Sequence, residues 1–576
     1  MTAIHEGTYA GPGVQATFRT CRFTGLKIER NAELLIRANA VAAVVFLAWG
    51  GLLGLLVALT RWPAVQLLDA EWFYLVLTGH GANVLLFWII FFEIAVLYFG
   101  SAVLLGSRLP APKVAWAGFL MMVAGALITN YAVLRGDSSV MFTTYPPMMA
   151  SQWMYLGLIL FAVGALVGVM VFFAALVVAK DEKTYEGSVP LVTFGAITAG
   201  IIAVFTIASG AIILVPTWLW SLGLINEIDS LMYKLVWWGM GHSSQQINVS
   251  AHVAIWYAIA AMVLGARPLS EKVSRMAFFL YILFLQLASA HHLLAEPGMS
   301  STWKIVNTSY MMYLAVLGSM IHGLTVPGAI EAAQRRNGYT RGAFEWLTKA
   351  PWGNPAFSGM FMSLVMFGFI GGITGVILGT EQLNVLMHNT LYVPGHFHGT
   401  VVAGTTLAFM AGSFLLVPLF FRRDIIWPGL AKWQPYLFGI GAGGISLFMM
   451  GAGTLGVPRR HWDLSLVDAM HFFEYPPAAY LMMALNGIFA ICAAVGGALF
   501  VVLIVGTVLF GRRLDGPDAK LTFPLHDRGR ESVTTYGSHA TLKLPGTIIL
   551  VSIFFGAFVL YYFVNWMYLS ELWLFR

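Results

Sequence analysis

The chain has 576 residues, of which 59% are hydrophobic and only 10% charged, and its mean hydropathy is +0.78. That balance excludes a soluble enzyme and describes an all-α integral membrane protein, because lipid tolerates only helices or closed barrels and ten-residue strands of alternating polarity are absent. The formal net charge of +6 reports membrane orientation, so no nucleic-acid partner is expected and the lipid bilayer is the surrounding medium.

Apolar runs of about 20 residues, enough to span roughly 30 Å of hydrocarbon, recur about thirteen times. They centre near residues 48, 90, 123, 165, 205, 248, 283, 318, 368, 405, 443, 493 and 558. One polytopic domain, 1–576, accounts for the chain. Residues 1–36 are polar and basic and read as a cytoplasmic lead-in without a cleavable signal. The second helix carries His80 and Glu93, the latter either a structural hydrogen bonder or a proton carrier. The sixth carries His242, with Gln246 one turn on, and the seventh carries His291-His292, followed by Glu296. At about 100° per residue the adjacent pair can converge on one metal, with His242 as third ligand; three neutral imidazoles suit copper, iron or zinc. On the tenth helix His396 and His398 point roughly 200° apart, so one helix can serve two cofactors, as two haems side by side require. Beyond the eleventh come Arg459-Arg460, and residues 512–542 form a charged, Gly- and Pro-containing cytoplasmic loop before the last helix. Cys21 and Cys492 cannot make a disulfide framework.

Imidazole in hydrocarbon is costly unless it binds something, and six such histidines in ordered spacing imply more than one cofactor. His252 and His322 stand apart from that set and read as helix–helix hydrogen bonders or proton carriers. The 27 Met and 41 Phe are ordinary membrane core. Placing the N-terminus in the cytoplasm puts all but seven of the 32 Lys and Arg on the inside. Those seven are Arg61, Arg135, Lys234, Lys304, Arg459, Arg460 and Arg576. Adjacent arginines on the outer side require anionic partners.

His80 in Thr78-Gly79-His80, Trp238-Gly239-Met240-Gly241-His242, His291-His292, His388-Asn389-Thr390, Val393-Pro394-Gly395-His396-Phe397-His398 and Arg459-Arg460 together resemble the catalytic subunit of the haem-copper oxidase superfamily. The stretch from His291 to Gly298 and the helix count look most like its B-type branch. The resemblance implies the superfamily's three-arc bundle. It makes His80 and His398 the axial ligands of a low-spin haem and His396 the ligand of a high-spin haem, both of b type. It makes His242, His291 and His292 the ligands of copper B, with iron as the alternative metal. Arg459 and Arg460 would pair with haem propionates, with His388 nearby.

In that family, oxygen-reducing members of the A and B branches carry a tyrosine one turn after the first copper ligand, where it supplies an electron and a proton. Gln246 can do neither; its amide can hydrogen-bond a bound ligand or coordinate weakly. Tyr281, which might substitute from the seventh helix, lies about 15 Å along the axis from His291, and Tyr257 is equally remote from His242. Joining two NO molecules into N₂O and water needs only two electrons, so the sequence points to a respiratory nitric oxide reductase similar to the atypical members on a B-type scaffold. A neutral amide favours copper over iron. The alternative is a B-type terminal cytochrome oxidase coupled to proton pumping, with Gln246 a packing residue; a histidine-lined transporter would hold no haem.

Protons could enter from the inside along Asn248, Ser250, His252 and Tyr257 on the sixth helix and Ser309, Ser319 and His322 on the eighth, a broken track. From outside the candidates are Glu296 and the group Asp463, Asp468, His471 and Glu474. No c-type haem motif or Cys-rich copper motif is present. Electrons are therefore expected from another subunit, and the resemblance implies a membrane-anchored subunit II carrying a dinuclear copper centre or haem c, fed by cytochrome c or a similar donor. The expected location is a bacterial or archaeal cell membrane, with the chain multi-pass and its N-terminus cytoplasmic.

Overall fold

The computed structural model describes residues 7–11, 14–285, 287–464, 474–516, 518–539 and 543–571. Twelve helices among them are long and apolar enough to cross a membrane. They are α1 (Arg30–Arg61), α2 (Ala70–Val103), α3 (Pro112–Leu134), α4 (Gln152–Asp181), α5 (Leu191–Ser221) and α6 (Ser230–Leu264), followed after α7 by α8 (Ser301–Arg336), α9 (Pro355–Gly379), α10 (Tyr392–Phe421), α11 (Pro428–Thr454), α12 (Pro477–Phe510) and α13 (Pro545–Glu571). The predicted seventh crossing, α7 (271–293), is built in pieces: an α-helix over Glu271–Leu280, a π segment over Tyr281–Leu285 and a 3₁₀ turn over Ala288–Leu293.

Burial ranks the helices by their place in the bundle. The apolar stretch of α6 is wholly buried and that of α13 scarcely at all, so α6 is the central post and α13 lies at the periphery. Small residues let helices approach closely where lipid gives no hydrophobic drive. A Cβ on Gly125 of α3 would stand 2.5 Å from the carbonyl oxygen of Gly157 on α4, and one on Gly164 of α4 would stand 2.5 Å from that of Gly118.

The polar lead-in is more ordered than its composition suggests. Strands β1 (Gly7–Gly11), β2 (Val14–Thr20) and β3 (Lys27–Glu29) form an antiparallel sheet in the order β1-β2-β3. Val14, Ala16 and Phe18 alternate with polar residues, the period-2 pattern of a strand. Glu29 ends the sheet and caps α1, accepting from the Ala32 amide at 2.8 Å. Residues of the 512–542 loop bind the helix ends: Asp424 accepts from the Thr522 amide at 2.9 Å and Glu271 from the Gly537 amide at 2.7 Å.

Five helices carry π segments among the described residues, and three of the segments flank candidate ligands. They cover Ala82–Phe87 just after His80, Tyr281–Leu285 ahead of His291, and His398–Thr406 beginning at His398 itself. Another, Phe367–Gly372 on α9, packs against the last of these. Such wide turns shift the side-chain register by part of a turn and collect at functional sites.

Candidate metal centre

Three histidines meet between α6 and α7. One ligand nitrogen each from His242, His291 and His292 lies within 4.8 Å of the others. The expected convergence of the adjacent pair occurs in a 3₁₀ turn, where three residues complete a turn and neighbours stand about 120° apart. His291 Nδ1 is buried with no well-formed hydrogen bond, its neighbour being the Ala288 backbone. His242 Nδ1 faces His292 Nε2 at 3.2 Å, so the donor set fits one ion held by neutral imidazoles.

Gln246 does not open onto that space as the sequence suggested. Its amide nitrogen lies 3.1 Å from His242 Nε2, on the far side of the ring from His292, and in this orientation donates to that nitrogen. A metal on Nδ1 would place the ring proton on Nε2, and the amide, turned over so that its oxygen faces the ring, would accept it. The role that fits this placement is fixing a ligand's tautomer, as outer-shell partners of metal-bound histidines do.

His80 and His398 face each other across α2 and α10, with ring centres 6.4 Å apart and planes within 16°. An iron with a bond of about 2 Å to each imidazole accounts for a gap of roughly this size. Both Nδ1 atoms are already engaged, His80 with the Gly50 carbonyl at 2.8 Å and His398 with the Pro394 carbonyl at 2.7 Å. That leaves each Nε2 lone pair for a metal. A Cβ on Gly54 would stand 2.6 Å from the His80 ring, so this glycine brings α1 against it. His396 is oriented by Thr374: the threonine hydroxyl donates to the Ile370 carbonyl and accepts from His396 Nδ1 at 2.8 Å, again leaving Nε2 free.

Above these sites sits a polar cluster. Lys234 pairs with Glu296 at 2.7 Å, and the other oxygen of Glu296 is 3.8 Å from His388 Nε2. Burial first, and then the field of Arg459, hold His388 down at about 4, so it is neutral near pH 7 and its contact with Glu296 is not an ion pair. Burial lowers Arg459 to about 10, with Arg460 adding to the shift, and lowers Arg460 as well; both remain cationic. Of the expected outer acidic group, Asp463 and Glu474 are described, whereas Asp468 and His471, like Arg576, lie outside the described residues.

Sequence reading missed an aromatic pair. Trp238, one turn before His242, stacks on His292 with centres 3.6 Å apart and planes within 6°. Its Nε1 donates to the Tyr145 hydroxyl at 2.6 Å, and Tyr145 lies under Arg460. Burial raises Tyr145, against the pull of Arg459 and Arg460, so it is protonated at neutral pH. Trp238 was visible at a one-turn spacing from His242. Tyr145 comes from the α3–α4 loop, and nothing local marks it.

An apolar cavity of about 110 Å³ lies between α2, α4, α5 and α6, reaching Gly241 and Trp237 beside the histidines. Glu93 and Asn248 line it, and the Asn248 amide in its satisfied orientation donates to Glu93 at 2.7 Å. The inner polar residues form two local hydrogen-bonded clusters, while Ser250 Oγ, His252 Nε2 and His322 Nε2 are buried without partners. The Tyr257 hydroxyl meets Thr325 at 2.7 Å and both Ser274 and His322 at 3.1 Å, while Tyr281 meets Ser319 at 3.0 Å. His252 bonds Thr405 at 3.0 Å.

Residues 35–499 match the family described as cytochrome c and quinol oxidase polypeptide I. The chain is 29% identical over 449 residues to cytochrome c oxidase subunit 1 of Thermus thermophilus, covering 76% of this chain and 75% of that one. It is 21% identical to quinol oxidase subunit 1 of Bacillus subtilis, covering 73% of this chain and 64% of that one. Its fold is similar to that of a heme-copper terminal oxidase dimer solved by cryo-EM, with TM-score 0.80 and 26% identity over 94% of this chain and 92% of that one.

Proposed function

The chain belongs to the cytochrome c and quinol oxidase polypeptide I family, subunit I of the haem-copper oxidases, and from that premise we propose that it is the catalytic subunit of a respiratory nitric oxide reductase on a B-type scaffold. In this reading His80 and His398 hold the low-spin haem and His396 the high-spin haem, both of b type. His242, His291 and His292 hold copper B, and Arg459, Arg460 and neutral His388 serve the propionates. When bound, the high-spin haem and the copper supply two electrons and paired coordination for converting two NO and two protons into N₂O and water.

The chain's own residues then have three tasks. With its amide turned so that the oxygen faces Nε2, 3.1 Å away, Gln246 would keep the His242 proton there and present Nδ1 to the copper. The apolar cavity gives a neutral, lipid-soluble diatomic a dry approach to α6. Protons reach the site through Glu296, held by Lys234, or through Glu93, held by Asn248. Electrons arrive from a subunit II with a dinuclear copper centre or haem c, itself fed by cytochrome c or a similar carrier, in a bacterial or archaeal cell membrane with this chain's N-terminus cytoplasmic.

The observation carrying the proposal is Gln246, a group with no accessible redox state, in contact with the first copper ligand where oxygen cleavage calls for a tyrosine. The test is anaerobic turnover of the purified complex, following NO at an electrode and N₂O by gas chromatography, then O₂ uptake. Fast stoichiometric N₂O with slow O₂ uptake is expected; the reverse would overturn the reading. One observation favours a second reading, a terminal cytochrome oxidase with proton pumping. Trp238 stacked on His292 and hydrogen-bonded to Tyr145 is an oxidisable pair that could supply the electron and proton Gln246 cannot.

A further inference from the structure

Arg61 closes α1 and is 5% exposed, yet no carboxylate among the described residues lies within ion-pair distance of it. One of its terminal nitrogens donates to the Arg459 carbonyl, its guanidinium lies over the Phe73 ring at 5.2 Å, and its Nε has no partner. Arg459, whose carbonyl Arg61 holds, also has its Nε buried without a partner. A buried guanidinium with no carboxylate beside it has given up its hydration without a compensating charge. Such an arrangement persists only where an anion completes it.

The position of Arg61 indicates which anion. Gly50 and Gly54 on α1 pack on His80, the first through its carbonyl and the second by close approach. Arg61 is seven residues past Gly54, two turns along the same face and about 10 Å further up the axis. It therefore stands above the gap between His80 and His398, on the side where Arg459 stands. The groups facing it are Tyr74 from α2, His398 from α10 and Arg459 from the segment after α11. None of them supplies a negative charge at neutral pH.

We propose that Arg61 is a carboxylate-binding residue for the low-spin haem, clamping a propionate together with Arg459 and holding up that haem's reduction potential. This rests on the reading of His80 and His398 as the ligands of that haem. A cation beside a propionate favours the reduced, more negative haem. It also keeps the carboxylate ionised across the working pH range, so the potential changes little with pH.

The experiment is spectroelectrochemical titration of both haems in the purified complex, comparing wild type with Arg61→Gln and Arg61→Lys at several pH values, with haem content from the pyridine haemochrome. Arg61→Gln is expected to retain both haems, lower the low-spin potential, leave the high-spin potential in place and give the low-spin potential a steeper pH dependence. Arg61→Lys, which keeps the charge but not the fork, should shift in the same direction by less. Unchanged low-spin potential and pH slope in whichever variant accumulates would overturn the assignment. A His80→Ala complex that still carries both haems would overturn the ligand reading underneath it instead, so the two failures are separable.

Discussion

Replacing Gln246 with Leu tests whether this amide acts through His242. The substitution keeps similar bulk and removes the group 3.1 Å from His242 Nε2, at a position only 8% exposed. A buried ring N–H then loses its acceptor, which costs about 1–3 kcal/mol. Because the proton on Nε2 is what leaves Nδ1 free for the metal, the penalty falls on the metal-bound tautomer. Expressed as affinity it is about 10–100-fold, the usual range for outer-shell partners of metal-bound histidines. The assay is metal content by mass spectrometry after equilibration against graded chelator, with N₂O formation followed in parallel. Gln246→Glu, which keeps an acceptor oxygen and adds charge, should retain metal and accept iron more readily than wild type. A Gln246→Leu complex that holds its metal against chelator as wild type does would show that the amide has no hold on His242.

The haem ligands separate by stoichiometry: His398→Ala is expected to lose the low-spin haem alone, read as one haem per chain instead of two by haemochrome. Trp238→Phe keeps a ring against His292 but loses the hydrogen bond to Tyr145; NO turnover should hold within about twofold, a change of under 0.5 kcal/mol. A collapse of NO turnover would bring the aromatic pair into the reaction itself. His388 is held at about 4 against an ordinary value of about 6.5, so in that window the unfolded chain binds a proton that the folded chain does not. Stability should fall as pH drops from about 6.5 towards 4, and His388→Asn should flatten that fall in thermal melts; an unaltered melt profile would count against a neutral His388.

Length and hydropathy made the helices legible, because a membrane crossing is a composition signal spread over about 20 residues. All six histidines lay in such runs; His291 and His292 meet His242 as their spacing suggested, and His80 faces His398 as the resemblance implied. What escaped was anything that breaks period. The π segments and the 3₁₀ turn of α7 look like ordinary helix in sequence, and the sheet before α1 was hidden by reading residues 1–36 for charge rather than alternation. Gln246 lies one turn from His242 as its spacing implies, and packing adds a contact with the outer edge of that ring, since a side chain one turn away can reach the ring as readily as the metal. Tyr145 could not be found at all: it reaches Trp238 from a loop more than ninety residues away. Arg61 was visible as an anomaly of charge placement, and only packing gave it neighbours.

The end of α7 bears on how the subunit is put together. Its two histidines sit in a 3₁₀ turn, whose hydrogen bonds are poorer than those of the α-helices around it, and the third ligand is on the rigid central post, α6. An ion gripping all three is a rivet between a finished helix and an unfinished one, so the free energy of loading includes that of ordering the turn. A chain that has not received its ion should exchange amide hydrogens fastest at residues 287–293 while the rest of the bundle stays protected. On the proposed ligand reading, delivery of the ion would then be a late step of assembly, coupled to the ordering of this turn.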